Sequence, residues 1–214
     1  THPAYPASGK QKGSATWRCK ECHGWDYKGA DGAYGKGSHH TGIKGLRAMV
    51  GADPKAILDG GIPLTSLQLQ YSLLDRRPEK RMVELAARHD FALFCYGTVA
   101  GGFLSDRWLG KSEPEHPLEN RSLTKYKLII DDLGGWDLFQ ALLSTLRKVA
   151  DRHATDIATI ASAAMLRRPG VTAVIVGARN RDHLASNLAI SNVVLSDADL
   201  AEIETALSGA RELE

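Results

Sequence analysis

From Ala56 onward the apolar positions follow two alternating periods, whereas the first 55 residues follow neither. LTSLQLQYSLL (64–74) is an apolar run with β-type residues and predicts a strand. RPEKRMVELAARHD (77–90) carries Pro near its first turn and sets Met82, Val83, Leu85 and Ala86 on one helical face. FALFCYG (91–97) predicts a second, buried strand. GWDLFQALLSTLRKVADRHA (135–154) and DIATIASAAMLRRPG (156–170) predict helices, the latter stopped by Pro169-Gly170. VTAVIVGA (171–178) predicts a third strand, with the continuous apolar run of a parallel sheet buried on both faces. NRDHLASNLAI (180–190) opens a helix at a capping Asn180, and SDADLAEIETALSG (196–209) predicts a final capped helix ending at Gly209. Strand and helix alternating at this spacing predict an α/β protein of βα repeats.

Residues 1–55 are glycine-rich, poor in branched aliphatics and without sustained periodicity. The chain therefore reads as two parts, 1–55 and 56–214, joined inside DPKAILDGGIP. A net charge of +2 gives no field favouring nucleic acid or an anionic membrane surface. No apolar run approaches the 18 or so residues of a membrane span. The chain opens on Thr rather than Met, which predicts a processed product or an excerpt. Three cysteines are too few for a disulfide framework, and Cys95, alone in ALFCYG, reads as a small core hydrophobe.

Cys19-Lys20-Glu21-Cys22-His23 fits C-x-x-C-H, the attachment signature for c-type haem. Two thiols one helical turn apart suit the two vinyl groups on one porphyrin edge, and the next imidazole suits the iron. A zinc site using Cys19, Cys22, His23 and His39 or His40 is the competing reading, although adjacent Cys22 and His23 fit one tetrahedral ion poorly. The longer run WRCKECHGWDYKG…DGAY…GSH…TGIKG resembles the opening of a bacterial class of c-type cytochrome domains, over about residues 8–58. That resemblance implies haem c held at Cys19 and Cys22, with His23 as iron ligand. The sixth ligand stays open among Met49, His39, His40 and none.

LQLQYSLLDRRPE, CYGTVAGGFLSDRWLG and VIVGARNRDHLASNL, in that order, resemble the last three strand-to-helix units of the aldo/keto reductases. The resemblance covers residues 56 to about 208. It implies a partial (βα) barrel, the closing part of an eight-fold TIM barrel, behind a small loop-rich, α-helical cytochrome c-like segment. It also implies an NADP(H) site. Gln68 corresponds to the residue that bonds the nicotinamide carboxamide, and Tyr96 to the aromatic that stacks on the ring. Gly97, Thr98, Val99, Ala100 and Gly101 form the small-residue loop beside the pyrophosphate. Gly177, Ala178, Arg179 and Asn180 end a strand and open a helix whose free N–H groups favour an anion. Arg179 is placed to fork onto a ribose 2′-phosphate, with His183 and Asn187 further into the same helix and Asn187 toward adenine.

No catalytic residue is assigned. Reduction in that family uses a tyrosine assisted by Lys, Asp and His from the first four strands, and nothing before Ala56 supplies them. Asp31-Gly32-Ala33-Tyr34-Gly35 echoes the family's D-T-A-x-x-Y-G, but its spacing is three rather than five and no apolar strand precedes it. The expectation is a redox chimera: haem electron transfer with a redox partner protein, fused to an NADP-binding portion without its catalytic tetrad. The alternatives are a carbonyl reductase completed by another chain, and an inactive fusion product. Three strands with open edges predict self-association or a covering partner. Haem attachment implies a periplasmic setting, and use of the reductase-like part alone implies the cytoplasm.

Overall fold

The computed structural model describes residues 2–3, 5–7, 9–17, 19–23, 28–32, 35–37, 40–43, 45, 65–115, 117–177 and 181–213. The chain forms two compact units, Thr1–Pro63 and Leu64–Glu214.

In the first unit Gly13–Trp17 is a 3-10 turn and Cys19–His23 (α1) is one turn of helix. The chain then folds back over the end of α1. Thr41 Oγ1 donates to the Cys22 carbonyl at 2.6 Å, and Gly29 N donates to the His23 carbonyl at 2.7 Å. Helix-end carbonyls lack partners within the helix, and these two donors supply them. Ala30 N donates to the Ile43 carbonyl at 2.9 Å, closing the loop.

The second unit holds three parallel strands, β1 (Ser66–Gln70), β2 (Ala92–Tyr96) and β3 (Val171–Ile175), in spatial order β1-β2-β3. Around them run α2 (Met82–His89), α3 (Arg121–Leu133), α4 (Trp136–Arg152), α5 (Ile157–Leu166), α6 (Leu184–Ala189) and α7 (Asp197–Ala206). Parallel neighbours require crossovers, and helices provide both. α2 lies against β2, α5 against β3, and α4 against both α5 and α7.

Local chemistry sets the helix ends. Asp156 accepts from Thr159 N at 2.7 Å to start α5, and Asn120 accepts from Leu123 N at 3.0 Å to start α3. Ser196 and Asp199 form a reciprocal capping box on α7. α5 is buried almost all round, including Ile157, Ile160, Ala161, Ala164 and Met165, so it is the core helix. α4 turns Leu142, Leu143, Leu146 and Val149 into the same core, all at 0% exposure.

The structure corrects the sequence reading at four places. The strand expected over 64–74 spans only Ser66–Gln70, because Tyr71–Leu74 make a buried turn held by the Ser72 hydroxyl, which accepts from Leu74 N and Asp75 N. The helix expected over 77–90 breaks at Arg81 (φ −146°) into a 3-10 turn, Arg77–Lys80, and α2. α3 was not among the expected elements. The strands are not buried on both faces. Leu93 and Cys95 of β2 are at 0% exposure, whereas Tyr96 and Ile175, on the opposite face, are 40% and 39% exposed. A parallel sheet buries both faces only when further elements supply the second layer. The cap expected of Asn180 lies outside the described residues. Arg181–His183 form a 3-10 turn ahead of α6, and His183 at the cap position makes no side-chain cap bond.

Candidate cofactor site

Registered partners in a parallel sheet point to the same side, so the register defines two rows on the open face. Gln68, Phe94 and Ala173 form one row, and Gln70, Tyr96 and Ile175 form the next, at the carboxyl ends of the strands. Tyr96 and Gln68 are exposed on this face. Gln68 sits one row, about 7 Å along the strand, below Tyr96. The two residues expected to meet a nicotinamide therefore share a surface.

The loop after β2 is shaped by α3. Gly97 and Gly101 have φ of +76° and +65°, conformations that glycine takes without a Cβ penalty. A Cβ on Gly97 would fall 2.2 Å from the Tyr126 hydroxyl oxygen, and one on Gly101 2.8 Å from Tyr126 Cδ2. The smallness of this loop is thus used first by the protein's own tyrosine. Thr98 and Ala100 are buried, Val99 is half-buried, and the Thr98 and Ser162 hydroxyls lie 2.9 Å apart. Of the glycines in the run Gly97–Gly102, Gly102 alone has open space beside it: chain neighbours aside, no heavy atom lies within 4 Å of an ideal Cβ there. An aromatic cluster of Phe103, Trp108, Trp136 and Phe139, with ring centroids 4.8 to 6.1 Å apart, anchors the segment that follows.

Around Tyr96 stand charged groups that the sequence reading missed. Asp75, 1% exposed, accepts from Arg77 Nη2 at 2.7 Å, Arg77 Nε at 2.8 Å and Gln70 Nε2 at 2.5 Å. Burial alone would raise its carboxyl, but the bonds from Arg77 and Gln70 prevail and hold it below the ordinary carboxylate range. The Tyr126 phenol is pushed up, first by burial and then by Tyr96 and Asp75. Lys125 Nζ lies 5.8 Å from the Tyr96 ring centroid and 5.0 Å from that of Tyr126. Gln70 was legible in principle, since it lies two residues from Gln68 on one strand. Lys125 carried no such signal, because only tertiary folding brings α3 to the strand ends.

At the end of β3, Asn187 Nδ2 donates to the Gly177 carbonyl at 3.0 Å, tying α6 back to the strand, and His183 is exposed. Ala178, Arg179 and Asn180 lie outside the described residues. In the first unit, Cys22 is half-buried and His40 is exposed, while Met49 and His39 lie outside the described residues. Among the described residues, no group of three or more His, Cys, Asp or Glu side chains is placed to hold a metal. Cys95 is a buried free thiol, with burial pushing its pKa up to about 11, so it is protonated at neutral pH.

A parallel βα array with an aromatic and polar row at its strand ends is consistent with a partial (βα) barrel. The chain belongs to the aldo/keto reductase family, whose model matches residues 47–208. It is 28% identical over 144 residues to Protein tas of Escherichia coli (strain K12), covering 66% of this chain and 39% of that protein. It is 27% identical over 148 residues to the L-glyceraldehyde 3-phosphate reductase of Escherichia coli O157:H7, covering 67% and 41%. It is 29% identical over 110 residues to Flagellar radial spoke protein 5 of Chlamydomonas reinhardtii, covering 50% and 21%. Its fold is similar to that of a glycerol dehydrogenase from Gluconobacter oxydans, with a TM-score of 0.61 and 19% identity over 72% of this chain and 45% of that one. The chain thus spans about two-fifths or less of the curated relatives it matches. The family match includes Met49 and begins ahead of the composition break. No described helix is long and apolar enough to cross a membrane.

Proposed function

We propose that the second unit binds NADP(H) on its open sheet face and serves as the cofactor-holding portion of a carbonyl reductase. The observation that carries this reading is Tyr96, an aromatic side chain 40% exposed at the carboxyl end of the central strand. An aromatic of that size left in water costs burial energy that a stacked ring would recover. Gln68, on the same face one row below, offers an amide donor and acceptor to a carboxamide. Gly102 leaves room for close approach of a ligand to the backbone. The residues present therefore fit the nicotinamide end of the cofactor, which when bound supplies hydride chemistry. The chain's own part is to hold and orient that ring.

Proton delivery is proposed to come from another polypeptide, which also covers the open face and edges; self-association is the other way to cover them. Quenching of the Trp108 and Trp136 fluorescence on titration with NADPH tests the site, and Tyr96→Ala should weaken binding about tenfold. A Tyr96→Ala chain that binds as tightly as the wild type rejects the reading. Turnover of a simple aldehyde by the purified chain alone rejects the need for a second polypeptide. Sedimentation of the chain as a compact monomer rejects self-association.

A second reading concerns the first unit. We propose haem c attachment at Cys19 and Cys22 with His23 toward iron, serving electron transfer to a redox partner protein. It is supported by α1 itself: CKECH forms one helical turn, so positions 19 and 22 share a face. Met49, His39 and His40 remain the candidates for a further ligand. This reading belongs to a periplasmic protein and the nicotinamide reading to a cytoplasmic one. An intact mass without added porphyrin, from a host competent in haem attachment, rejects it.

A further inference from the structure

We infer that Lys125 biases the nicotinamide site toward the reduced form of the cofactor. The inference rests on the NADP(H) reading above and concerns a residue to which that reading gives no role. Lys125 projects from α3 with its ammonium 5.8 Å from the Tyr96 ring centroid and 5.0 Å from that of Tyr126. Both rings attract a cation through their electron-rich faces, which holds the long side chain near the strand ends.

The Arg77 and Asp75 charges answer each other. The Arg77 guanidinium is tied by two bonds to Asp75, and Asp132 also acts on it. The Asp75 carboxylate is spent on Arg77 and Gln70. Among the described residues, Lys125 has no carboxylate within ion-pair distance. It therefore stands beside Tyr96 as a cation with no ion pair among the described residues.

The two redox forms of the cofactor differ by one charge, and that charge sits on the nicotinamide. The oxidised ring is cationic and the dihydro ring is neutral. Their phosphates are the same, so attraction between Lys125 and phosphate would strengthen both forms alike. Repulsion between Lys125 and the ring weakens only the oxidised form. An unpaired ammonium near the stacking ring, partly screened by solvent, separates the two affinities by a factor on the order of five. Lys125 is a specificity-determining residue on this account, acting through space.

The test is calorimetric titration of NADPH and NADP+ into the wild-type chain and into Lys125→Gln and Lys125→Arg, with circular dichroism to check folding. Lys125 is exposed, so neither change removes core packing. The ratio of the two dissociation constants should move about fivefold toward parity in Lys125→Gln and stay at the wild-type value in Lys125→Arg. Equal weakening of both forms, or an unchanged ratio, overturns this inference and leaves the cofactor reading standing. A wild-type chain that binds neither form overturns both.

Discussion

Gly97→Ala probes whether the loop after β2 is shaped by α3. Alanine at φ +76° places its Cβ against the backbone, which costs about 1–2 kcal/mol. The same Cβ would lie 2.2 Å from the Tyr126 hydroxyl oxygen and 3.2 Å from Cζ. Tyr126 is 6% exposed, so its ring has little room to move away, and such overpacking costs about 1–3 kcal/mol. The substitution should therefore destabilise the second unit by about 2–5 kcal/mol. Tyr126→Phe deletes the atom at 2.2 Å and leaves the ring carbon at 3.2 Å, a contact that small shifts relieve. The double variant should keep the backbone share and recover at least about 1 kcal/mol of the rest. Urea unfolding of the four chains, followed by circular dichroism, gives both numbers. A Gly97→Ala chain within about 0.5 kcal/mol of wild type, or a double variant with no recovery, would refute the reasoning.

Two further predictions concern the scaffold. Asp199 accepts from Ser196 N, Ser196 Oγ, Arg152 and His153 at 2.7 to 3.1 Å. Burial would raise its carboxyl, but these bonds prevail and hold it far below the ordinary value. A depressed folded pKa gives stability that is present above the unfolded value of about 4 and is lost as pH falls below it. Asp199→Asn should lower stability by about 2 kcal/mol at pH 7, and the gap to wild type should close on acidification below pH ~4; a gap independent of pH would sink the assignment. Lys127 is 3% exposed and bonds Glu113 and Asp131, both at 2.5 Å, while its partners are 53% and 41% exposed. Lys127→Met should stay within about 1 kcal/mol of wild type because the freed carboxylates return to water, whereas Lys127→Ala should lose about 2 kcal/mol of packing. Equal losses in the two variants, measured by thermal or urea unfolding, would show that the charge rather than the stem matters.

The elements that were legible in the sequence are those in which one face repeats. Ser196 and Asp156 stand where caps were needed, and the amphipathic periods of α4 and the apolar run of α5 follow directly from burial. α3 was not legible because its buried stripe includes Lys127, whose charge breaks the apolar pattern and is met by Asp131 one turn on in the same helix and by Glu113 from the preceding segment. The apolar run extends past the end of β1 because Tyr71–Leu74 are as apolar as a strand but bury themselves in a turn. At the candidate site, Gln68 and Tyr96 were read from motifs, and the register places them on one face. Lys125 and Tyr126 were not, since their approach to Tyr96 depends on how α3 returns over the loop. The C-x-x-C-H stretch is legible as a turn of helix, but a ligand set is a spatial property that a linear spacing does not contain.

The open face and the open edges of the sheet are one feature. β1 and β3 each have a single strand neighbour among the described residues, so each presents an unpaired backbone edge. Beside β3, Leu184 and Leu188 lie four residues apart on α6 and are 57% and 62% exposed. One further βα unit packed at this edge would pair the strand and cover the apolar helical stripe together. The relatives, of which this chain matches 41% or less, are long enough to contain such units. Tyr96 and Ile175, on the open face, are 40% and 39% exposed. On the proposed reading, a single polypeptide that pairs the β3 edge would also bury Leu184 and Leu188 and wall the nicotinamide face. Cofactor binding and completion of the sheet should therefore be coupled, each tightening the other.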